Sequence, residues 1–372
     1  MAKYFLIAGE ASGDLHAAAL IEQLQLQDSQ ARIAGLGGDR MAAAGCRLYQ
    51  DYRHMAFMGF AAVLRNLDAV RRNFRIAEQA LLDEQPDALI LIDYPSFNLR
   101  MAAFCRRHLP QTKIYYYIPP KVWAWKRWRV HRIARLCDAV LGIFPFEPAF
   151  YAKYGYQCTY VGNPTAERLQ PIISQARKSP IPSEKSYIAV LPGSRPSEVT
   201  NCLPRMLEAA RRFPEYRIVV TAAPGLENAF YAPYMQEGET LSRDTYTCVQ
   251  GAKAAIVNSG TATLETALLG CPQVAVYHLA CSGFIGLIRP FAQRWVFSIP
   301  YFTLVNILGG KEVIRELVAN DFTADKVAAE LQRLLTDEPY TKNMLADYEH
   351  IHSVLGDSCA SRAAARIIAQ RA

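Results

Sequence analysis

Five apolar residues in a row, 88–92 (ALILI), stop abruptly at Asp93. A run that short, apolar on both of its alternating faces, reads as a strand buried on both sides, and such strands belong to parallel sheets covered by helices on each face. Further short apolar runs of this kind recur along the chain. Residues 4–8, 32–36, 113–117, 139–143 and 158–161 complete a first series with 88–92, and residues 14–26 form the first helix between them. A second series reads as strands at 187–191, 217–221, 246–249, 254–257 and 273–277, and beyond Thr323 the pattern is helical. Strands alternating with helices predict an α/β chain of two doubly wound, Rossmann-like domains. At roughly 150 residues per domain, 372 residues allow two or three. The Pro-, Ser- and Lys-rich stretch around ARKSPIPSEKS marks residues 166–186 as a linker between domains 1–165 and 187–345, followed by helical residues 346–372. Two such domains place a cleft between them, and ligands of open α/β sheets bind beyond the carboxyl ends of the strands. The residues just after each strand are therefore the informative ones.

Composition narrows the function classes. The chain is 51% apolar and 20% charged, which suits a globular protein and not a disordered or fibrous one. Its formal charge of +7 is mild; it fits phosphate-bearing substrates or an anionic membrane surface, and no fold signature for nucleic acid accompanies it. The nine cysteines contain no C-x-x-C, so zinc spacing and a disulfide framework are unsupported and reduced thiols are expected. No secretory signal is expected at the start. The longest uncharged apolar stretch, 274–288, falls short of the roughly 20 residues a spanning helix needs.

At the first strand end stands Gly9-Glu10-Ala11-Ser12-Gly13-Asp14. Small residues there let backbone approach a ligand, and a helix start holds an anion. The spacing is not the G-x-G-x-x-G of dinucleotide binders. The turn is alternatively a tight βα connection with Asp14 as a cap, although a cap needs no second carboxylate at Glu10. Asp93 is placed to take a proton from an incoming hydroxyl, or else caps the next helix; Pro95, nearer the helix start, favours the first. The loop Pro119-Pro120-Lys121-Val122-Trp123-Ala124-Trp125 combines aromatics with a cation, suited to sugar rings or phosphate, or to ordinary packing. Arg127, Arg129, Arg132 and Arg135 follow as a solvated face, a phosphate site or a membrane contact.

In the second domain Pro192-Gly193-Ser194-Arg195-Pro196-Ser197-Glu198 follows a strand, and backbone N–H groups with Arg195 make a diphosphate cradle. It lacks the G-K-[ST] of a P-loop. Ser259, Gly260 and Thr261 open another helix after a strand, with Glu265 in its early turns as an acceptor for ribose hydroxyls. Asn306, polar among apolar neighbours, bonds either ligand or backbone. Large apolar residues at 55–67, among them Phe57, Met58, Phe60, Val63 and Leu64, precede Arg71, Arg72 and Arg75. They read as a core helix, or as an interfacial helix or acyl-chain slot with basic residues at headgroups.

Taken in order, AGEASGDLHAAALI, IDYPSFN, PPKVWAW with its Arg-rich helix, FPFEPAFY, VGNP, LPGSRPSEV, NSGTATLE and LVNILGGKEVIREL span nearly the whole chain. The set resembles the lipid-A-disaccharide synthase family, inverting glycosyltransferases of GT-B type. The resemblance implies transfer of 2,3-diacylglucosamine from its UDP donor to 2,3-diacylglucosamine 1-phosphate, giving the β-1,6 disaccharide and UDP in Gram-negative lipid A biosynthesis. It implies work at the inner face of the inner membrane, on anionic lipid, with no cofactor. In this fold the last helices often pack back on the first domain. Asp93 matches the aspartate of the I-D-x-P motif and is the expected base. Glu10 matches the glutamate of G-E-x-S-G-D and is expected to orient acceptor or base, with Ser12, Gly13, Lys121 and Trp123 on the acceptor side. Gly193, Ser194, Arg195, Glu198, Ser259, Gly260, Thr261, Glu265 and Asn306 fall to the UDP side. No D-x-D occurs in the chain, so a metal-assisted departure is not expected and Arg195 with helix N-termini replaces it. Where many members carry a second aspartate this chain has Ser96, and where many have serine before V-W-A-W it has prolines and Lys121. Another GT-B-type UDP-amino-sugar enzyme (a peptidoglycan-type transferase or an epimerase) and a non-catalytic membrane module that binds UDP-sugar are the competing readings. Acyl-chain length and oligomeric state are not legible in the residues.

Overall fold

The computed structural model describes residues 1–55, 67–124, 126–178, 186–278 and 300–370. The chain divides into two compact units, Met1–Glu167 with Asp357–Ala372, and Arg168–Gly356. Each is built on one parallel sheet with helices on its faces, as the alternating runs predict.

In unit 1 the strands are β1 (Lys3–Ala8), β2 (Arg32–Gly37), β3 (Arg47–Asp51), β4 (Ala88–Ile92), β5 (Lys113–Tyr117), β6 (Ala139–Gly142) and β7 (Thr159–Tyr160), in spatial order β3-β2-β1-β4-β5-β6-β7. The helices are α1 (Ala11–Gln27), α2 (Asp39–Ala43), α3 (Leu67–Glu84), α4 (Pro95–His108), α5 (Arg129–Leu136) and α6 (Glu147–Ala152), while α7 (Pro164–Lys178) starts in unit 1 and continues as the first helix of unit 2. Every residue of β4 is fully buried, because its alternate side chains feed two separate cores. Leu89 and Leu91 join Phe5 and Ile7 against Ala77 and Leu81 of α3 and Met101 of α4. Ala88, Ile90 and Ile92 join Tyr4 and Leu6 against Leu20, Ile21 and Leu24 of α1. That second core also takes Ala364, Ala365 and Ile368 from the last helix of the chain, Ala360–Ala369.

Unit 2 contains β8 (Tyr187–Leu191), β9 (Arg217–Thr221), β10 (Thr240–Ser242), β11 (Ala254–Asn258), β12 (Gln273–Tyr277) and β13 (Glu316–Val318), ordered β10-β9-β8-β11-β12-β13. Its helices are α8 (Pro196–Ala210), α9 (Thr245–Gly251), α10 (Thr261–Leu268), α11 (Leu304–Gly309), α12 (Ala324–Thr336) and α13 (Glu338–Leu355); the closing helix Ala360–Ala369, in unit 1, is α14.

The structure departs from the sequence reading in places. Residues 246–249, read as a strand, lie inside helix α9, whose first turn is capped by Asp244 accepting from the Thr247 N–H at 3.1 Å. Asp244 is an N-cap signal that outweighs a four-residue apolar run. Strands β3, β10 and β13 escaped the reading because each is short and incompletely buried at a sheet edge, where no continuous apolar run is required. Residues 164–178, largely within the stretch read as linker, form α7. It is started by Asn163, whose Oδ1 accepts from Thr165 and Ala166 N–H at 3.0 and 3.1 Å. Residues 179–185 of that stretch lie outside the described residues.

Where the chain leaves and re-enters unit 1, Glu167 is bonded by the Ser361 hydroxyl, by the Ser361 N–H at 3.0 Å and by Cys359 Sγ at 2.9 Å. Gly162 lies so close to Ser358 that an added Cβ would come within 2.4 Å of its Oγ.

Candidate active site

A doubly wound sheet opens a crevice where its strand order reverses. In unit 1 that point lies between β1 and β4, which run side by side with Ala8 opposite Ile92. Glu10 and Asp93 are the residues that leave these two strand ends. The turns touch: a Cβ on Gly9 would sit 2.2 Å from the Tyr94 ring, so only glycine lets the first turn pass. Glu10 holds the N-cap position of α1 in extended conformation, and its charge adds to burial in raising the Tyr94 phenol pKa.

Asp93 and Tyr94 both adopt left-handed backbone, φ 45° and 44°, and so does Ile118 at the end of β5, φ 59°. The Asp93 N–H donates to Ile118 O at 3.2 Å; its carbonyl oxygen accepts from the Tyr116 hydroxyl and from Asn98 Nδ2, both at 2.7 Å. Asp93 keeps accessible surface between buried Ile92 and Phe97. Surrounding protein still desolvates its carboxyl enough to raise the pKa, against the Lys121 ammonium and the Tyr94 N–H, which lower it. Lys121 responds in the opposite sense: desolvation lowers its pKa while Asp93 and Glu147 hold it up.

Glu147, in the FPFEPAFY stretch, acts on Lys121 although its residue type alone does not mark it as a site residue. It is 1% exposed. Its Oε2 accepts from the Ile143 and Phe144 N–H groups at 2.7 and 3.0 Å, and its Oε1 from Trp123 Nε1 at 3.2 Å. Burial nevertheless pushes its pKa up to about 7. A glutamate before a proline at a helix start is the trace it leaves in sequence, which also fits a plain cap.

Several expected acceptor-side residues serve the scaffold. Trp123 is 5% exposed and packs edge-on against Phe144 and Phe146, with ring centroids 5.9 and 5.0 Å away, so it presents no face for a sugar. Gly13 is buried where an added Cβ would press at 3.3 Å on Ala8, which makes it a helix–strand packing glycine. Asp14 does cap a helix, but the capped helix is α2: its carboxylate accepts from Gly38, Met41 and Arg40 N–H at 2.7, 3.1 and 3.2 Å. Ser12 stays exposed in the first turn of α1. Arg129 reaches Ser96 Oγ at 3.5 Å, beside the Asp93 loop. Phe57, Met58, Phe60, Val63, Leu64 and Trp125 lie outside the described residues.

In unit 2 the order reverses between β8 and β11, and the two expected donor turns leave these strands. Gly193 has φ +116°, and a Cβ there would meet Glu198 Oε2 at 2.5 Å and Asn258 Nδ2 at 2.7 Å. The backbone N–H groups expected to cradle a diphosphate are held by Glu198: Ser194 and Arg195 donate to its Oε2 at 2.9 and 3.3 Å, and Arg195 Nη1 to its Oε1 at 3.1 Å. Glu198 is thus a capping carboxylate at the start of α8. Ser259 donates its N–H to Val276 O at 2.7 Å, and Gly260 and Thr261 stand exposed at the start of α10. Glu265 is paired with Arg168, whose guanidinium lies 5.7 Å from the Tyr246 ring centre; burial raises the Glu265 pKa against that pairing.

Asn306, expected on the donor side, is instead an internal staple. Its Oδ1 accepts from Val313 and Ile314 N–H at 2.8 and 2.9 Å, and its Nδ2 donates to Ile314 O and Glu316 Oε1 at 2.8 and 2.9 Å. The amide is fully bonded and 0% exposed, which leaves nothing for a ligand.

Paired switch-point sites on two parallel α/β units define a GT-B-type protein. Solved structures of that fold align along the whole chain: a UDP-GlcNAc 2-epimerase from Neisseria meningitidis bound to UDP-GlcNAc (TM-score 0.64, 11% identity, 99% of this chain and 100% of that one) and the calicheamicin glycosyltransferase CalG4 (0.59, 15%, 100% and 98%). Within the class, the family model for lipid-A-disaccharide synthetase matches residues 4–369, and the chain belongs to that family. It is 35% identical to the lipid-A-disaccharide synthase of Trichlorobacter lovleyi (98% of this chain, 96% of the relative) and 36% identical to that of Anaeromyxobacter dehalogenans (95% and 93%).

Proposed function

We propose that the chain transfers 2,3-diacylglucosamine from its UDP donor to 2,3-diacylglucosamine 1-phosphate with inversion, forming the β-1,6 disaccharide and UDP. Family membership over nearly the whole chain supports the substrate class. The observation that carries the chemistry is Asp93, an accessible carboxylate at the reversal point of unit 1, with its pKa raised by desolvation, which strengthens it as a general base. One displacement suffices for inversion. The acceptor hydroxyl oxygen bonds to the anomeric carbon as the bond to the UDP oxygen breaks. The hydroxyl proton passes to Asp93, and UDP leaves with the bonding pair. Glu10, on the adjacent turn, orients the acceptor.

Unit 2 holds the donor. Ser194, Arg195 and the start of α8 meet the diphosphate once Glu198 releases their N–H groups, with Ser259, Gly260 and Thr261 at the start of α10. Glu265, anchored by Arg168, accepts from the ribose. Arg195 and the helix N-termini meet the leaving charge, so the proposed reaction needs no metal.

The protein works on an anionic membrane surface. Among the described residues no helix is long and apolar enough to cross a bilayer. Trp128 is 61% exposed in a setting of Lys126, Arg127, Arg132 and Arg135, also exposed, which suits headgroup contact. Residues 57–64 are the proposed acyl-chain contact.

The test is UDP release by purified protein with the diacylated pair, in detergent and EDTA, beside a reaction with UDP-N-acetylglucosamine. Turnover with the acylated pair alone is expected, and Asp93→Ala should lower it by roughly 10²–10⁴-fold without unfolding the protein. Turnover of UDP-N-acetylglucosamine instead would support an epimerase or another UDP-sugar transferase. UDP binding without turnover of either would make it a binding module.

A further inference from the structure

Three unfavourable arrangements meet at one point of unit 1. Asp93 and Tyr94 occupy the left-handed region in succession. Ile118, branched at Cβ, occupies it too, and the Asp93 N–H bonds to its carbonyl. Asn98 is 0% exposed, yet its Oδ1 has no hydrogen-bond partner among the described residues. A strand running into a helix requires none of these, and such features persist only where the surroundings over-determine them.

The surroundings do so through a single atom. The Asp93 carbonyl oxygen accepts from the Tyr116 hydroxyl and from Asn98 Nδ2, each at 2.7 Å, and Asn98 Nδ2 also reaches Ile92 O at 3.2 Å. Asn98 therefore directs its amide at two backbone carbonyls while its own oxygen stays orphaned, which is the wrong choice for stability alone. Tyr116 is fully buried on β5, the neighbour of β4, so its hydroxyl is held by the sheet. The outcome is a backbone kink that leaves Asp93 accessible between Ile92 and Phe97, which are buried.

We propose that Tyr116 and Asn98 are positioning residues that clamp the Asp93 carbonyl oxygen and thereby fix the direction of the Asp93 carboxylate toward the acceptor hydroxyl. The inference rests on the reading of Asp93 as the base. Neither residue touches substrate. Both act through backbone geometry, where a misplacement of about 1 Å is worth up to roughly 100-fold in rate.

A double-mutant comparison tests it. Tyr116→Phe removes one hydroxyl and keeps the ring; Asn98→Ala serves if that variant does not fold. Each should lower kcat about 10- to 100-fold in the protein that remains folded, with the UDP dissociation constant essentially unchanged. In an Asp93→Ala background the same substitution should have no further effect, because the group it aims is gone. An equal fold loss in both backgrounds, or wild-type kcat in Tyr116→Phe and Asn98→Ala alike, would overturn the clamp and leave the base assignment standing. Wild-type turnover by Asp93→Ala alone would overturn the base assignment and the clamp with it.

Discussion

Replacing Glu147 by glutamine should change how the stability of unit 1 depends on pH. The buried carboxyl has its pKa lifted from an ordinary 4.5 to about 7 because desolvation outweighs the three hydrogen bonds it accepts and the nearby Lys121 ammonium. A raised folded-state pKa means that the native protein binds the extra proton between these values and the unfolded chain does not. Its contribution is complete below about pH 4.5 and is lost as pH rises through about 7. That difference is worth about 3 kcal/mol at 1.36 kcal/mol per pKa unit. Glutamine does not titrate. Its single oxygen can serve the Ile143 and Phe144 N–H groups, while its NH2 would face the Trp123 N–H and leave that donor unpaired, costing about 1–3 kcal/mol. The variant should therefore be the less stable protein near pH 5 and draw level with wild type near pH 8. Hydrogen exchange of the β4–β6 amides, which reads unit 1 by itself, measures both curves. Parallel curves for the two proteins would refute the argument.

Lys121→Met removes the charge that holds the Asp93 pKa down, so the acidic limb of kcat/KM should move to higher pH; an unmoved limb would mean that the two groups are not coupled. Asn306→Ala strands two N–H groups and a carbonyl in unit 2 and should cost about 3 kcal/mol in urea unfolding, while the protein that remains folded binds UDP as wild type does. Association with anionic vesicles should weaken with salt and weaken further in Trp128→Ala; indifference to both would remove this face from the membrane contact.

How far the sequence could be read depended on burial. Strand β4 and the aspartate at its end were legible because a strand covered on both faces must be apolar throughout, and the first polar residue after it stands out. The edge strands carried no such mark, and the run at 246–249 was too short to overrule the Asp244 cap that makes it a helix. Polar residues were harder still. Asn306 and Trp123 look like ligand contacts in one dimension, and only the partners around them show that their hydrogen-bonding groups are already occupied. Glu147, Asn98 and Tyr116 escaped notice for the reverse reason. Their importance lies in the backbone groups they bond, close by in the chain for Glu147 and Asn98 and on the neighbouring strand for Tyr116, to which residue type gives no clue.

Unit 1 is assembled from both ends of the chain, and helix α14 fills a core begun by β1 and α1. During synthesis the first strands emerge long before Ala364, Ala365 and Ile368 exist, so the apolar face of α1 stays uncovered while all of unit 2 is being made. Domains usually mature in the order in which they leave the ribosome. Here the unit started first is finished last, and a chain cut just before Ala360 would hold a complete second unit joined to a first one that never closes.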